Sequence, residues 1–198
     1  MTGTGTSVGK TLFCAYLVRV LDGFYWKPIQ CGEPSDVSRV RALSGLDGSR
    51  CCASAYSFVA ARSPHEAAAM EGETIHLEHL RCPKKTPLVV EGAGGVLVPI
   101  NDTKLMVDMM AQLGLSVVVV ASSRLGTINH TLLTLEALRR RNLEVYGVVL
   151  CGPRDDANAQ AIQTYGRVKV VCTLVIEGWV ESLEDDGLTI IDKGRWEV

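Results

Sequence analysis

Neither sign of charge is in surplus in this 198-residue chain: 20 Lys and Arg stand against 22 Asp and Glu, a formal net charge of -2. A balance that close gives no electrostatic footprint for nucleic acid or for an anionic membrane surface, so neither is expected as a partner. No apolar stretch approaches the roughly 18 residues that a membrane-spanning helix needs, and no signal peptide is read ahead of the opening residues. Internal repeats, linkers and low-complexity tracts are absent as well. Seven cysteines are present, but none forms a C-x-x-C pair and the number is odd. Scattered thiols of that kind exclude a disulfide framework and give no zinc-site spacing, so a reduced, cytoplasmic protein is expected. Several of the cysteines lie in apolar runs, where Cys behaves as a small hydrophobe.

What is present is 47% hydrophobic residues, enough for one globular domain over 1–198. A chain of this length buries about 70% of its unfolded surface and needs no staple. Short apolar runs, rich in valine as a set, recur at 24–26, 87–90, 116–121, 145–150 and 168–176. They are continuous rather than alternating, as strands buried on both faces of a parallel sheet are. Between them the pattern predicts helices at 11–21, 64–71, 105–113, 130–141 and 157–165. The alternation implies an α/β fold: a doubly wound, mainly parallel sheet flanked by helices. Arg139, Arg140 and Arg141 fall where the fourth of these helices should end, and are expected to complement its dipole. The pattern weakens after about residue 180, and ESLEDDG at 181–187 is expected on the surface.

The chain opens MTGTGTSVGKT. Gly9-Lys10-Thr11 supplies the second half of the phosphate-loop template G-x-x-x-x-G-K-[ST], while Gly3 lies one residue too far upstream to complete it. The physics still works. Glycines let backbone N–H groups close on phosphate oxygens, and a helix starting near Lys10 points its positive end at the anion. Lys10 adds a point charge and the Thr11 hydroxyl suits Mg²⁺. Two strand ends narrow the reading. FYWKP puts Lys27 at the end of one strand, and PLVVEGAGG runs another into Glu91 and a glycine turn. Open α/β sheets bind ligands at such carboxyl ends, so Lys27 is read as a second cation facing phosphate and Glu91 as a metal ligand. Read blandly, Lys27 is a surface charge and Glu91 a loop acid.

These motifs together resemble the dethiobiotin synthetases. That family has five residues between the glycines of its loop, as from Gly3 to Gly9 here, and YWKP, SPH at 63–65, VEGAGG and LGTINHTLLT at 125–134 also recur. The likeness covers roughly residues 1–166 and is poor beyond. It implies a Rossmann-like P-loop fold and a homodimer. It implies that ATP, Mg²⁺ and carbon dioxide are used to close the ureido ring of dethiobiotin from 7,8-diaminopelargonate. Carried onto this chain, it assigns the nucleotide to Thr6, Ser7, Val8, Gly9, Lys10, Thr11 and Leu12, with Asp36, Glu91, Gly92, Ala93, Gly94, Cys151 and Gly152. Mg²⁺ would be held by Thr11, Asp36 and Glu91, and Lys10 and Lys27 would be catalytic. The substrate would meet Lys27, Cys31 and Gly94, with Gly126, Thr127 and Asn129 arriving from the other subunit.

The chain departs from the family pattern in four places. Only Met1 and Thr2 precede the loop, where a first strand is usual; the segment from Cys31 to Asp36 is short; Cys31 stands where a hydroxyl residue is common; and Cys151 stands where an asparagine reads adenine. No general-base histidine stands out: His65 and His130 suit packing or capping, and His76 and His79 suit the surface. Two other readings remain open at this level. One is a different ATPase of the same broad group, although Thr4 stands where the partitioning ATPases carry a second lysine. The other is a paralogue that binds nucleotide without turnover.

Overall fold

The computed structural model describes residues 1–176 and 188–192, so 181–187 lie outside the described residues. In chain order the elements are β1 (Thr2–Gly3), α1 (Lys10–Val20), β2 (Phe24–Trp26), β3 (Ile29–Cys31), α2 (Asp36–Ser44), β4 (Cys51–Cys52), β5 (Tyr56–Phe58), α3 (Pro64–Met70), β6 (Leu88–Val90), α4 (Met106–Leu113), β7 (Val117–Ser122), α5 (Thr127–Arg139), β8 (Val145–Cys151), α6 (Asp156–Gly166), β9 (Val170–Ile176) and β10 (Leu188–Asp192). Two sheets run in the orders β1-β7-β8-β9-β10 and β4-β2-β6, and β3 pairs with β5. Every pairing is parallel except β9 with β10. The expected α/β architecture is what forms.

The short β1 joins the two larger sheets. On one side Thr2 and Gly3 pair with Val119 and Val120 of β7. On the other, the Met1 amine donates to Val90 O at 2.7 Å and Gly92 N donates to Met1 O at 3.0 Å. Residues 1–3 therefore fill the strand position between β6 and β7, and no other strand takes that place among the described residues. The loop that follows is anchored at the centre of the sheet.

Valine packs well on a pleated surface, and β7 and β8 send alternate residues to opposite faces. Val119, Ala121, Val148 and Leu150 join Met106, Leu135, Leu138 and Ile162 in one core cluster. Val118, Val120, Val149 and Cys151 join Phe13, Cys14, Val18 and Tyr25 in the other. Helix α1 is apolar nearly all round because it is the central helix of that second face.

Three local features differ from the sequence expectation. Helix α2 was not expected. It is bounded by a Ser35 side chain that accepts from Ser38 N and by Gly45 at φ 67°, a serine N-cap and a glycine C-cap. Helix α5 starts at Thr127 rather than 130. The three arginines have three separate roles. Arg139 donates to Gly166 O at the end of α6, Arg140 pairs with Glu136, and Arg141 pairs with Asp108. Only Arg139 serves helix-end carbonyls, and they belong to the neighbouring helix. His76 and His79 are exposed as expected; His79 stacks on Tyr56 and His76 lies tilted against His79. Among the described residues no helix is long and apolar enough to cross a membrane.

Candidate active site

Chain geometry places a cationic, N–H-rich loop at the carboxyl end of β1. Helix α1 starts at Lys10 with no side-chain cap and no acid in its first turn, so its positive end is aimed at the loop without a counter-charge. Gly9 has φ 100°, and a Cβ there would run into the Cys151 side chain. Conformation and space both demand glycine. Lys10 is 6% exposed and curls back to donate to Gly5 O at 2.7 Å. Burial lowers the pKa of this ammonium, opposed chiefly by Glu91.

Four side chains converge beside Lys10. Lys27, just past β2, places Nζ 2.5 Å from Asp36 Oδ2, 3.0 Å from Glu91 Oε1 and 3.2 Å from Gly92 O. The Thr11 hydroxyl lies 3.2 Å from Asp36 Oδ1 and 3.0 Å from Glu91 Oε1. Burial alone would lower the Lys27 pKa, but Glu91 and Asp36 outweigh it and hold the ammonium above its ordinary value. Glu91 is 1% exposed, and a carboxylate so buried requires partners of this kind.

Asp36 reaches the cluster although the segment before it is short. Buried Gln30 accepts from Asp36 N at 3.0 Å and donates to Gly32 O at 2.9 Å and to Cys31 O at 3.2 Å. One amide side chain thereby braces the turn and seats the first residue of α2. Sequence reading passed over both Gln30 and Tyr25. Tyr25 lies in β2 two residues before Lys27, which follows the strand directly, and that spacing of two could have flagged it.

The Mg²⁺ assignment can be tested on the donor set. Among the described residues no group of three or more His, Cys, Asp or Glu forms a metal cage. Mg²⁺ seldom needs one: it keeps several waters and takes one or two carboxylates together with substrate phosphates. Thr11, Asp36 and Glu91 supply hard oxygens of that kind beside a phosphate-type loop, so the residues fit.

A cavity of about 1200 Å³ opens over this cluster. Its walls include residues 6–12, Lys27, Cys31, Asp36, Glu91, Ala93, Gly94, Cys151 and Gly152. Gly92 does not line it, although its carbonyl accepts from Lys27 Nζ. Arg39, Arg62, Arg124 and Ile176 also line it and were not foreseen. Gly126, Thr127 and Asn129 do not line it. Thr127 is buried, with its N–H donated to Arg124 O, whereas Asn129 is exposed.

The chain matches the family model described as an AAA domain over residues 1–180. It is 49% identical over 177 residues to the ATP-dependent dethiobiotin synthetase BioD of Paramagnetospirillum magneticum, covering 88% of this chain and 85% of that protein. The chain belongs to the dethiobiotin synthetase family. The synthetase BioD of Nitrobacter hamburgensis is 45% identical over 172 residues, 85% of this chain and 81% of that protein. The biotin biosynthesis bifunctional protein BioCD of Bordetella avium is 48% identical over 178 residues, but this chain spans only 38% of that longer protein. The likeness to synthetases therefore reaches past residue 166, the limit expected from the motifs. In this chain the cations and acids gather at the carboxyl edge of parallel strands.

Proposed function

We propose that the chain makes dethiobiotin from 7,8-diaminopelargonate, carbon dioxide and Mg-ATP. The observation that carries this reading is the convergence of Thr11, Lys27, Asp36 and Glu91 beside the Lys10 loop. One substrate amine takes up carbon dioxide as a carbamate, whose oxygen attacks the γ-phosphoryl group of ATP and displaces ADP. The resulting carbamic–phosphoric anhydride is opened by the second amine, which closes the ring and releases phosphate. Negative charge gathers on the transferred group at each step. Lys10 and Lys27 would meet it from two sides, in a buried site where preorganised charge acts most strongly. Residues 6–12 would hold the phosphates through N–H groups. Thr11, Asp36 and Glu91 would hold Mg²⁺, which when bound neutralises charge on the phosphate oxygens. The test is whether Mg-ATP is consumed only when diaminopelargonate and bicarbonate are both present. Nucleotide binding without such turnover would make the chain a binding paralogue instead.

The homodimer belongs to this proposal. Leu125 and Leu133 are 104% and 56% exposed beside Asn129 at the start of α5, which supports a second subunit covering this end. A helix start with an exposed amide suits the substrate carboxylate. Asn129→Asp should therefore raise the KM for diaminopelargonate while leaving the KM for ATP unchanged. An unaltered diaminopelargonate KM, or an active monomer by sedimentation, would refute the shared site. All seven cysteines are free, which supports a reducing, cytoplasmic setting.

Base selectivity should be low. The Cys151 thiol is 4% exposed and turned onto Gly9, and burial pushes its pKa up. A neutral thiol is a weak hydrogen-bond partner, unlike an amide. Polar pairing is what rejects a wrong ligand strongly, and Pro153 and Ile176 beside it are apolar. GTP and CTP should support turnover to within about tenfold of ATP, a gap of roughly 1.4 kcal/mol. Measuring kcat/KM for the four triphosphates checks this; a strong preference for ATP would assign base reading to another residue.

A further inference from the structure

The two oxygens of Glu91 have different surroundings. Oε1 receives Thr11 Oγ1 and Lys27 Nζ, each at 3.0 Å. Oε2 receives the Tyr25 hydroxyl at 2.9 Å. Tyr25 is 0% exposed and Glu91 is 1% exposed, so no bulk water can substitute for that bond. Tyr25 lies within β2 and Lys27 one residue past its end, both side chains reach the Glu91 carboxylate, and Tyr25 is packed within the core on the α1 side. The carboxylate is thus held from the interior and faces the Thr11–Lys27–Asp36 cluster with one oxygen.

We propose that Tyr25 is a positioning residue that sets divalent-metal selectivity: by holding Oε2 of Glu91 inside the protein it leaves Oε1 alone to bind a cation, which favours Mg²⁺ over Ca²⁺. The inference rests on the metal reading given above. Mg²⁺ demands near-octahedral geometry at about 2.0–2.1 Å and takes few protein ligands, whereas Ca²⁺ takes 6–8 oxygens and accepts a bidentate carboxylate. Turning both oxygens of Glu91 toward one cation would break the phenol bond and strand a buried hydroxyl without a partner. Groups that orient metal ligands from behind typically change metal affinity by about 10–100-fold when removed.

Tyr25→Phe keeps the ring and deletes the bond. Metal binding is read by Mn²⁺ paramagnetic resonance at saturating AMP-PNP, a non-hydrolysable ATP analogue, with Mg²⁺ and Ca²⁺ as competitors. The preference for Mg²⁺ over Ca²⁺, taken as the ratio of their dissociation constants, should fall by about tenfold or more. A side chain that merely packs would shift both metals together, and an unchanged ratio overturns the proposal. Glu91→Gln separates the two levels. If it leaves Mn²⁺ affinity intact, the metal reading itself is wrong; if it weakens Mn²⁺ while Tyr25→Phe leaves the ratio alone, only the role of Tyr25 is wrong. Should Tyr25→Phe not fold, infrared carboxylate bands of the unmodified protein, assigned by difference from Glu91→Gln, decide the matter. Monodentate splitting with both metals upholds the proposal, and bidentate splitting with Ca²⁺ refutes it.

Discussion

Lys27→Ala should fold and bind Mg-ATP yet lose turnover by about 10²–10³-fold or more, the usual loss when one preorganised charge is withdrawn from a developing anion. The side chain is 3% exposed and lies between Asp36 and Glu91. Its loss leaves two carboxylates facing each other across a buried site. Breaking such a group typically costs about 3–5 kcal/mol, so the melting temperature should drop with the rate. The two effects separate by titration: Mg²⁺ can replace the lost cation between the carboxylates but not at the phosphoryl group. Added Mg²⁺ should therefore stabilise Lys27→Ala more than the parent without restoring its rate. Near-normal kcat in the variant would remove Lys27 from the chemistry. The pH dependence has a definite sign. Because the folded pKa of Lys27 is raised, its stabilising contribution is complete below the ordinary lysine value of 10.5 and is lost only as pH rises through the higher folded value. Rate changes between about pH 6 and 9 then belong to other groups.

Gly9→Ala should damage both stability and nucleotide affinity. The residue sits at φ 100°, and an added Cβ meets Cys151 Cβ at 2.8 Å with the sulfur closer still. Left-handed strain costs about 1–3 kcal/mol, and forcing a carbon into a packed core costs about 1–3 kcal/mol more. Any relaxation displaces the loop whose N–H groups would hold phosphate, so affinity for AMP-PNP should fall at least about tenfold, or 1.4 kcal/mol. Cys151→Ala removes the sulfur. Combined with Gly9→Ala it should recover part of the stability, a coupling of about 0.5–3 kcal/mol between touching residues. Strict additivity in that cycle would show that strain at Gly9, rather than collision with Cys151, sets the cost.

The parallel sheet was legible because β7, β8 and β9 are valine runs, and runs of that length have few other uses. Lys10, Lys27 and Glu91 were legible because each is a charge placed where an apolar strand or a glycine loop meets a helix or turn. The short pieces were not. Strands β3, β4 and β5 have two or three residues each, too few to show a period. Helix α2 buries only Val40, Leu43 and Ser44, so its apolar stripe is faint, although Ser35 and Gly45 marked its ends. Tyr25 was hidden by its neighbours: within FYW it reads as one more core aromatic, and only the fold brings its hydroxyl to a carboxylate 66 residues away. Helix α5 was readable from residue 130 onward, but nothing in the sequence said that it starts at Thr127 with that side chain buried.

The grip of Lys10 on Gly5 O and of Lys27 on Asp36 and Glu91 bears on the thermodynamics of ligand capture. Each ammonium already has an oxygen partner inside the protein. On the proposed function, a polyphosphate arriving at the loop would act as an ion exchanger: it would draw these cations from carbonyl and carboxylate and leave the released acids to a metal it carried. Bonds surrendered would offset bonds made, so the heat of nucleotide binding is expected to be a small difference between large opposing amounts. The exchange also needs both partners, since metal-free nucleotide would free Asp36 and Glu91 without giving them a new cation. Capture of nucleotide and capture of metal would then be one event.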